Sequence, residues 1–198
     1  LRTPIAGLKS QAQNALVEND EHARKQQLTY IIESCNILSD TVNQLLSQAT
    51  LTHRFQSETP QTVLLDQVTK DVCRDMVAWA LSQQVEIAYL SEVSAPIRGN
   101  SFALKQMISN ILENAIKYSP PNSTVEVDIQ VHNHTQNPYT SLCISDQGVG
   151  IPDHEKPQVF EQFYRAEGNP YQGSGIGLAI AKEVADHHGA DLHLRDNT

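Results

Sequence analysis

Leu28, Ile31, Cys35, Leu38, Val42, Leu45 and Ala49 follow one another at spacings of 3, 4, 3, 4, 3 and 4. Apolar residues spaced in this way share one face of an α-helix and form a heptad seam. Ile32 and Leu46 widen the stripe beyond a two-stranded seam, toward a bundle. Upstream, Ile5, Leu8, Ala12 and Ala15 repeat the pattern with Leu16 beside them. The polar run ENDEH at 18–22 separates the two stretches and offers Asp20 as an N-cap. Residues 1–50 hold a single Gly, Gly7, and a single Pro, Pro4, so they read as a helical hairpin. Two helices alone bury too little apolar surface to stand by themselves. A broad stripe on both predicts a partner, and a symmetric dimer forming a four-helix bundle is the economical solution. The plainer alternative is that the hairpin packs on the rest of its own chain. Pro4 fits either the first turn of a helix or a kink in a longer one.

The heptads stop in LTHRFQSETP at 51–60, which is polar, ends in Pro60 and reads as a hinge. Beyond it the periodicity is mixed. Residues 62–83 suit a helix with Val63, Leu64, Val68, Val72, Met76 and Ala80 on one side. VEIAYL at 85–90 suits a strand, and 101–118 a helix capped by Asn100 or Ser101. STVEVDIQVHN at 123–133 alternates as a half-buried strand does, and TSLCISD at 140–146 suits another. A helix over 175–188 is ended by Gly189, with His187 and His188 in its last turn, and DLHLRD at 191–196 suits a last strand. The expected fold class is α+β: a hairpin over 1–52, a linker over 53–60, and a layered domain over 61–198 with mostly antiparallel strands.

The formal net charge of −9 comes without a block of like charge. That excludes a basic surface built to neutralise nucleic-acid phosphates. The longest apolar run, MVAWAL at 76–81, falls far short of the roughly 18 residues a membrane span needs, so no membrane contact is expected of these residues. No basic region followed by an apolar run marks a signal peptide. Cys35, Cys73 and Cys143 are widely separated and odd in number, as expected of buried thiols in a reducing compartment. No CxxC or HExxH suggests a zinc site, and the eight histidines read as surface or capping residues.

Two glycine-rich stretches carry the chemistry. DQGVGIP at 146–152 follows a strand, and GSGIGLAIAKEV at 173–184 runs into a helix. Neither matches the P-loop or the dinucleotide fingerprint. Gly173, Gly175 and Gly177 at a helix start can still cradle a phosphate, because backbone N–H groups come close there and the helix dipole favours an anion. In NILENAIKYS at 110–119, Asn110, Asn114 and Lys117 share one helix face, while Ile111, Leu112, Ala115 and Ile116 cover the other. Two carboxamides and an ammonium suit a polyphosphate bridged by Mg²⁺, which takes a few oxygen ligands plus phosphate and water. The plainer reading is a polar face turned to solvent. Between the glycine stretches, 153–172 is polar with one aromatic knot, Phe160, Phe163 and Tyr164. A connection this long suits a mobile lid anchored by Phe160 and Phe163, with Arg165 able to reach a phosphate.

These residues, in this order, resemble the sensor histidine kinases of two-component systems. NILENAIKYS resembles the N box, DQGVGIP the first glycine box, FEQFYR the F box and GSGIGLAIA the second glycine box. LRTP resembles the end of an H box, usually H-E-L-R-T-P, and the hairpin matches the family's dimerisation and phosphotransfer domain. The resemblance implies a two-layer α/β sandwich of the histidine kinase, gyrase and chaperone ATPase type after the hairpin. It implies ATP and Mg²⁺ as ligands. Asn114 would be the main Mg²⁺ ligand, with Asn110 supporting metal or phosphates. Lys117 would contact phosphate, Tyr118 would flank the adenine and Asp146 would accept its amino proton. Gly148 and Gly150 would let the chain pass under the base, with Ile151 and Phe160 counted among the nucleotide-binding residues. Arg165 would approach from the lid, and Gly173, Ser174, Gly175, Gly177 and Leu178 would hold the phosphates.

The resemblance further implies transfer of the γ-phosphoryl to a His, then to an Asp of a response regulator. Thr3, one helical turn after that His, would have a phosphatase role. The His and its neighbouring Glu are expected just before Leu1, which would make Pro4 a kink in a longer helix, and a last glycine turn and strand are expected after Thr198. As written, the chain is expected to bind Mg-ATP without autophosphorylating. The family implies a homodimer through residues 1–50 in the cytoplasmic part of a bacterial inner-membrane protein. The alternatives are an ATP-hydrolysing relative, which the hairpin and an amide at Asn110 in place of a Glu base argue against, and a nucleotide-gated dimeric scaffold or pseudokinase.

Overall fold

The computed structural model describes residues 2–57, 59–133, 138–165 and 174–196. The chain divides into two compact units near Ala49 and Thr50, with Ser174 grouping with the first.

The first unit is a pair of helices, α1 (Arg2–Val17) and α2 (Glu21–Ser57). Asp20 starts α2. Its carboxylate accepts from the His22 and Ala23 N–H groups at 3.3 and 3.2 Å, and its carbonyl accepts from Arg24 N–H at 2.9 Å. These bonds satisfy donors that a helix start leaves unpaired. Ala15 is buried and Leu8, Ile31, Leu38 and Val42 are half-buried. Ile5, Leu16, Val17, Leu28, Ile32 and Leu46 stay exposed, so the hairpin leaves a wide apolar surface uncovered. α2 runs on to Ser57. The segment read as a hinge is therefore helical over most of its length, because polar residues without Gly or Pro do not stop a helix.

The second unit begins with β1 (Gln61–Leu64), which passes directly into α3 (Leu65–Ser82). The helix expected over 62–83 overlaps this strand at 62–64; Val63 and Leu64 continue the spacing of α3 and hide a four-residue strand. β1 pairs antiparallel with β3 (Pro96–Gly99), a strand too short, and too rich in Pro and Gly, to show alternation. A second sheet has the order β2–β4–β5, from β2 (Val85–Tyr89), β4 (Ser123–His132) and β5 (Tyr139–Ser145). β2 pairs parallel with β4 and β4 antiparallel with β5. Among the described residues, two of the three pairings are thus antiparallel. Residues 191–196 form no strand: Leu192 and Leu194 give the alternation, but no ladder takes them up.

Along β4, Val125, Val127 and Ile129 are fully buried, while Glu126 and Gln130 on the opposite face are exposed. The buried face meets Val72, Cys73 and Ala80 of α3 and Ile108, Leu112, Ala115 and Ile116 of α4 (Ser101–Tyr118). Helices thus cover one face of the sheet, as alternation on a half-buried strand requires. α5 (Gly177–His187) packs beside α4 through Ile176, Ile180, Val184 and Ala103. Of the three cysteines expected to be buried, only Cys73 is; Cys35 and Cys143 are exposed.

Two joints set the position of α4. Asn100 is its N-cap, with its side chain accepting from Ala103 N–H at 3.0 Å. The Asn100 N–H donates to His188 Nε2 at 3.0 Å, and His188 Nδ1 donates to the Val184 carbonyl at 2.7 Å. A Cβ at Gly99 would stand 2.7 Å from the His188 ring, so glycine is what lets this histidine bridge the end of α5 to the start of α4.

Candidate functional site

Helix α4 buries Leu112, Ala115 and Ile116 against the sheet, which leaves its other face for polar side chains. Asn110, Asn114 and Lys117 lie along that face and are half-buried. Asn110 faces the start of α5. A Cβ at Gly177 would lie 3.6 Å from Asn110 Oδ1 and 3.7 Å from its Cγ, an ordinary contact distance. The first turn of α5 carries N–H groups with no partner within the helix, and its N-cap Ile176 supplies no side-chain hydrogen bond. Asn110 Nδ2 is buried and has no partner in the protein. A buried donor left unpaired costs about 1–3 kcal/mol, and beside this side chain the helix start offers N–H groups that an anion's oxygens would satisfy.

The far end of α4 meets the first glycine stretch. Gly148 N–H donates to Asp146 Oδ1 at 2.8 Å. A Cβ at Gly148 would lie 2.8 Å from that oxygen and 2.8 Å from the Tyr118 carbonyl, so only glycine lets the loop run against the end of α4. Gly150 has φ +74°, a left-handed conformation that disfavours other residues. Asp146 and Ile151 are half-buried, and Val149 stands almost wholly in solvent. The Lys117 ammonium lies 5.9 Å from the Tyr118 ring centroid, within cation–π reach.

The second glycine stretch meets the aromatic knot. Gly175 has φ +71°, and a Cβ there would lie 2.5 Å from the Tyr164 carbonyl oxygen. Phe163 N–H donates to the Gly175 carbonyl at 2.8 Å, and Phe163 is itself left-handed at φ +67°. Its ring is exposed, so Phe163 is held through its backbone and not as the apolar anchor expected from its side chain. Nothing in the sequence marks a phenylalanine for that conformation. Phe160 is half-buried in a single 3₁₀ turn (Gln158–Phe160). Leu178 is half-buried in the first turn of α5, and Arg165 is exposed. Gly173 lies outside the described residues. Ser174 groups with the hairpin unit, and Thr3 lies in α1 with its side chain outside the described set.

Residues 99–198 match the histidine kinase-, DNA gyrase B- and HSP90-like ATPase family. The chain belongs to that family of ATP-binding domains. Its relatives place it in the branch of bacterial two-component sensor histidine kinases. It is 30% identical over 195 residues to the sensor protein kinase PmrB of Pseudomonas aeruginosa, covering 98% of this chain and 40% of PmrB. The chain thus spans about two fifths of that relative's length. The mycobacterial sensor histidine kinase MprB superposes with a TM-score of 0.55 at 32% identity, over 66% of this chain and 80% of that one. The histidine kinase AdeS of Acinetobacter baumannii shares the fold, with a TM-score of 0.60 at 21% identity over 94% of this chain and 85% of that one. Among the described residues no helix is long and apolar enough to cross a membrane.

Proposed function

We propose that this chain is the dimerisation, phosphotransfer and catalytic part of a two-component sensor, binding Mg-ATP in its second unit. The observation that carries the reading is the buried, unpartnered Nδ2 of Asn110, a side chain that faces the start of α5. Asn110 would donate to a phosphate oxygen, and the first-turn N–H groups of α5 at Gly177 and Leu178 would take further phosphate oxygens. Asn114 would hold Mg²⁺ with Asn110 supporting it; an oxygen-bearing amide beside a polyphosphate is the donor chemistry this ion accepts. Mg²⁺, when bound, neutralises charge on the phosphates. Lys117 adds a positive charge on the same helix face, and Arg165 would approach from the lid. Asp146 would accept from the adenine amino group, with Tyr118 and Ile151 flanking the base and Gly148 and Gly150 passing beneath it. Gly173, Ser174 and Gly175 would complete the phosphate cradle, and Phe160 would count among the nucleotide-binding residues.

Phosphoryl transfer needs mainly positioning and charge neutralisation, which this set of residues provides. The acceptor would be a histidine of the H box that LRTP resembles, whose imidazole is a competent nucleophile near neutral pH. An amide at Asn110 is a poor base for activating water, which favours transfer over hydrolysis. A response regulator would receive the phosphoryl group on an Asp, and Thr3 would help return it to water. The exposed stripe through Ile5, Leu28, Ile32 and Leu46 supports a homodimer through residues 1–50. The absence of a spanning helix among the described residues is consistent with the cytoplasmic part of an inner-membrane sensor.

Titration calorimetry of the chain with ATP and with GTP, each with Mg²⁺, tests the site; saturable binding of ATP in preference to GTP is expected. No binding of ATP, or equal affinity for both, would overturn the assignment. A chain extended upstream through the H box should gain an acid-labile, base-stable label from γ-labelled ATP; its absence would leave the nucleotide-gated scaffold as the reading.

A further inference from the structure

The loop 146–151 is followed by a string of tight turns. Glu155 and Lys156 N–H both donate to the Pro152 carbonyl, at 2.8 and 3.2 Å, and Gln158 and Val159 N–H both donate to the Glu155 carbonyl, at 2.8 and 3.1 Å. This string joins the first glycine stretch to the aromatic knot, and it is fastened on both sides of α5. Ahead of α5, Phe163 N–H donates to the Gly175 carbonyl. Beyond α5, Lys156 Nζ reaches both carboxylate oxygens of Asp196 at 2.9 Å and Asp153 Oδ1 at 2.7 Å. The two carboxylates are largely in solvent, while the Lys156 side chain is only 20% exposed. A lysine stem packed down in this way has already lost the freedom that makes most surface ion pairs ineffective. Asp196 belongs to a segment with no sheet partner, so this contact ties it across 40 residues to the turn behind the glycine loop.

We propose that Lys156 and Asp196 form a clasp that positions the nucleotide loop. The clasp touches no ligand. It acts by fixing the Pro152–Lys156 turn, and through it the placement of Asp146, Gly148 and Gly150. The inference rests on the reading of this site as a nucleotide site.

The test uses the full chain, with Mg-ATP affinity read by calorimetry and backbone motion by amide hydrogen exchange without nucleotide. Asp196→Asn and Lys156→Gln should each weaken Mg-ATP binding about threefold to fivefold, the scale of one ordered ion pair. They should also speed exchange at Glu155, Lys156, Gln158 and Val159 while leaving β4 amides unchanged. Lys156→Arg should restore both, since it keeps the charge, and in 1 M salt the difference from the parent should collapse. Faster exchange with unchanged affinity would make the pair a mere structural tie and overturn the proposal. So would unchanged exchange, or failure of Lys156→Arg to rescue. A parent chain that does not bind Mg-ATP overturns the nucleotide reading, and the clasp's role with it. A parent that binds, with Asp196→Asn binding equally well, overturns the clasp alone.

Discussion

Asn110→Leu should move stability and ligand binding in opposite directions. In the free protein the Asn110 Nδ2 group is buried without a partner, a penalty of about 1–3 kcal/mol. Leucine has similar bulk, removes the unpaired donor, and adds up to about 0.5 kcal/mol of helix propensity. The ligand-free variant should therefore gain about 1–2 kcal/mol, or about 2–8 °C in Tm for a chain of this size. With nucleotide the sign reverses. A hydrogen bond to a charged oxygen contributes about 1.5–3 kcal/mol, so affinity should fall about 10- to 100-fold. At a Mg-ATP concentration of 100 times the parent's Kd, the parent gains about 2.7 kcal/mol, while a variant binding tenfold more weakly gains only about 1.4 kcal/mol. Trp79 is the only tryptophan and packs against the core of the second unit. Its fluorescence during urea unfolding, with and without Mg-ATP, reports that unit directly. A destabilised ligand-free variant would show that the amide is structural, and an undiminished Mg-ATP shift would show that it faces no phosphate. Either result refutes the reasoning.

Gly175→Ala should cost at least about 1–2 kcal/mol from the left-handed conformation alone, with the 2.5 Å approach to the Tyr164 carbonyl adding to it; a change under about 0.5 kcal/mol in urea unfolding would mean that the contact yields freely. Burial pushes the Cys73 thiol from 9.0 up to about 11, so the fold holds it neutral. Its contribution to stability is complete below the unfolded pKa and is lost as pH rises toward 11. Cys73→Ala should flatten that alkaline decline relative to the parent, and a parallel decline in both proteins would contradict it. In the folded parent at pH 8, a thiol reagent should modify the exposed Cys143 promptly and Cys73 only on unfolding.

Much of this was legible without coordinates. The heptad seam, the Asp20 and Asn100 caps and the alternation of 123–132 are local rules, set by the 3.6 and 2.0 residue periods and by the unpaired groups at a helix start. Each places residues on a face and needs no knowledge of what lies opposite. Misreadings arose where a local pattern was shared by two outcomes. Val63 and Leu64 fit the helix that follows them as well as the strand they form, and Leu192 and Leu194 alternate without a neighbour to pair with. β3 carries Pro96 and Gly99 in four residues and has no period to read.

The site divides along the same line. Chemistry-bearing residue types, their order and the shared face of Asn110, Asn114 and Lys117 are properties of the chain and could be read from it. That Asn110 is left with a buried, unpaired donor is a fact about three-dimensional burial, which depends on α5 arriving beside it. That Gly148 is wedged between a carboxylate and the Tyr118 carbonyl depends on where α4 ends relative to a loop some thirty residues later. The left-handed Phe163, and the clasp between Lys156 and Asp196, arise from contacts between segments distant along the chain. No periodicity encodes such contacts, because they are settled by packing, and packing depends on every element at once.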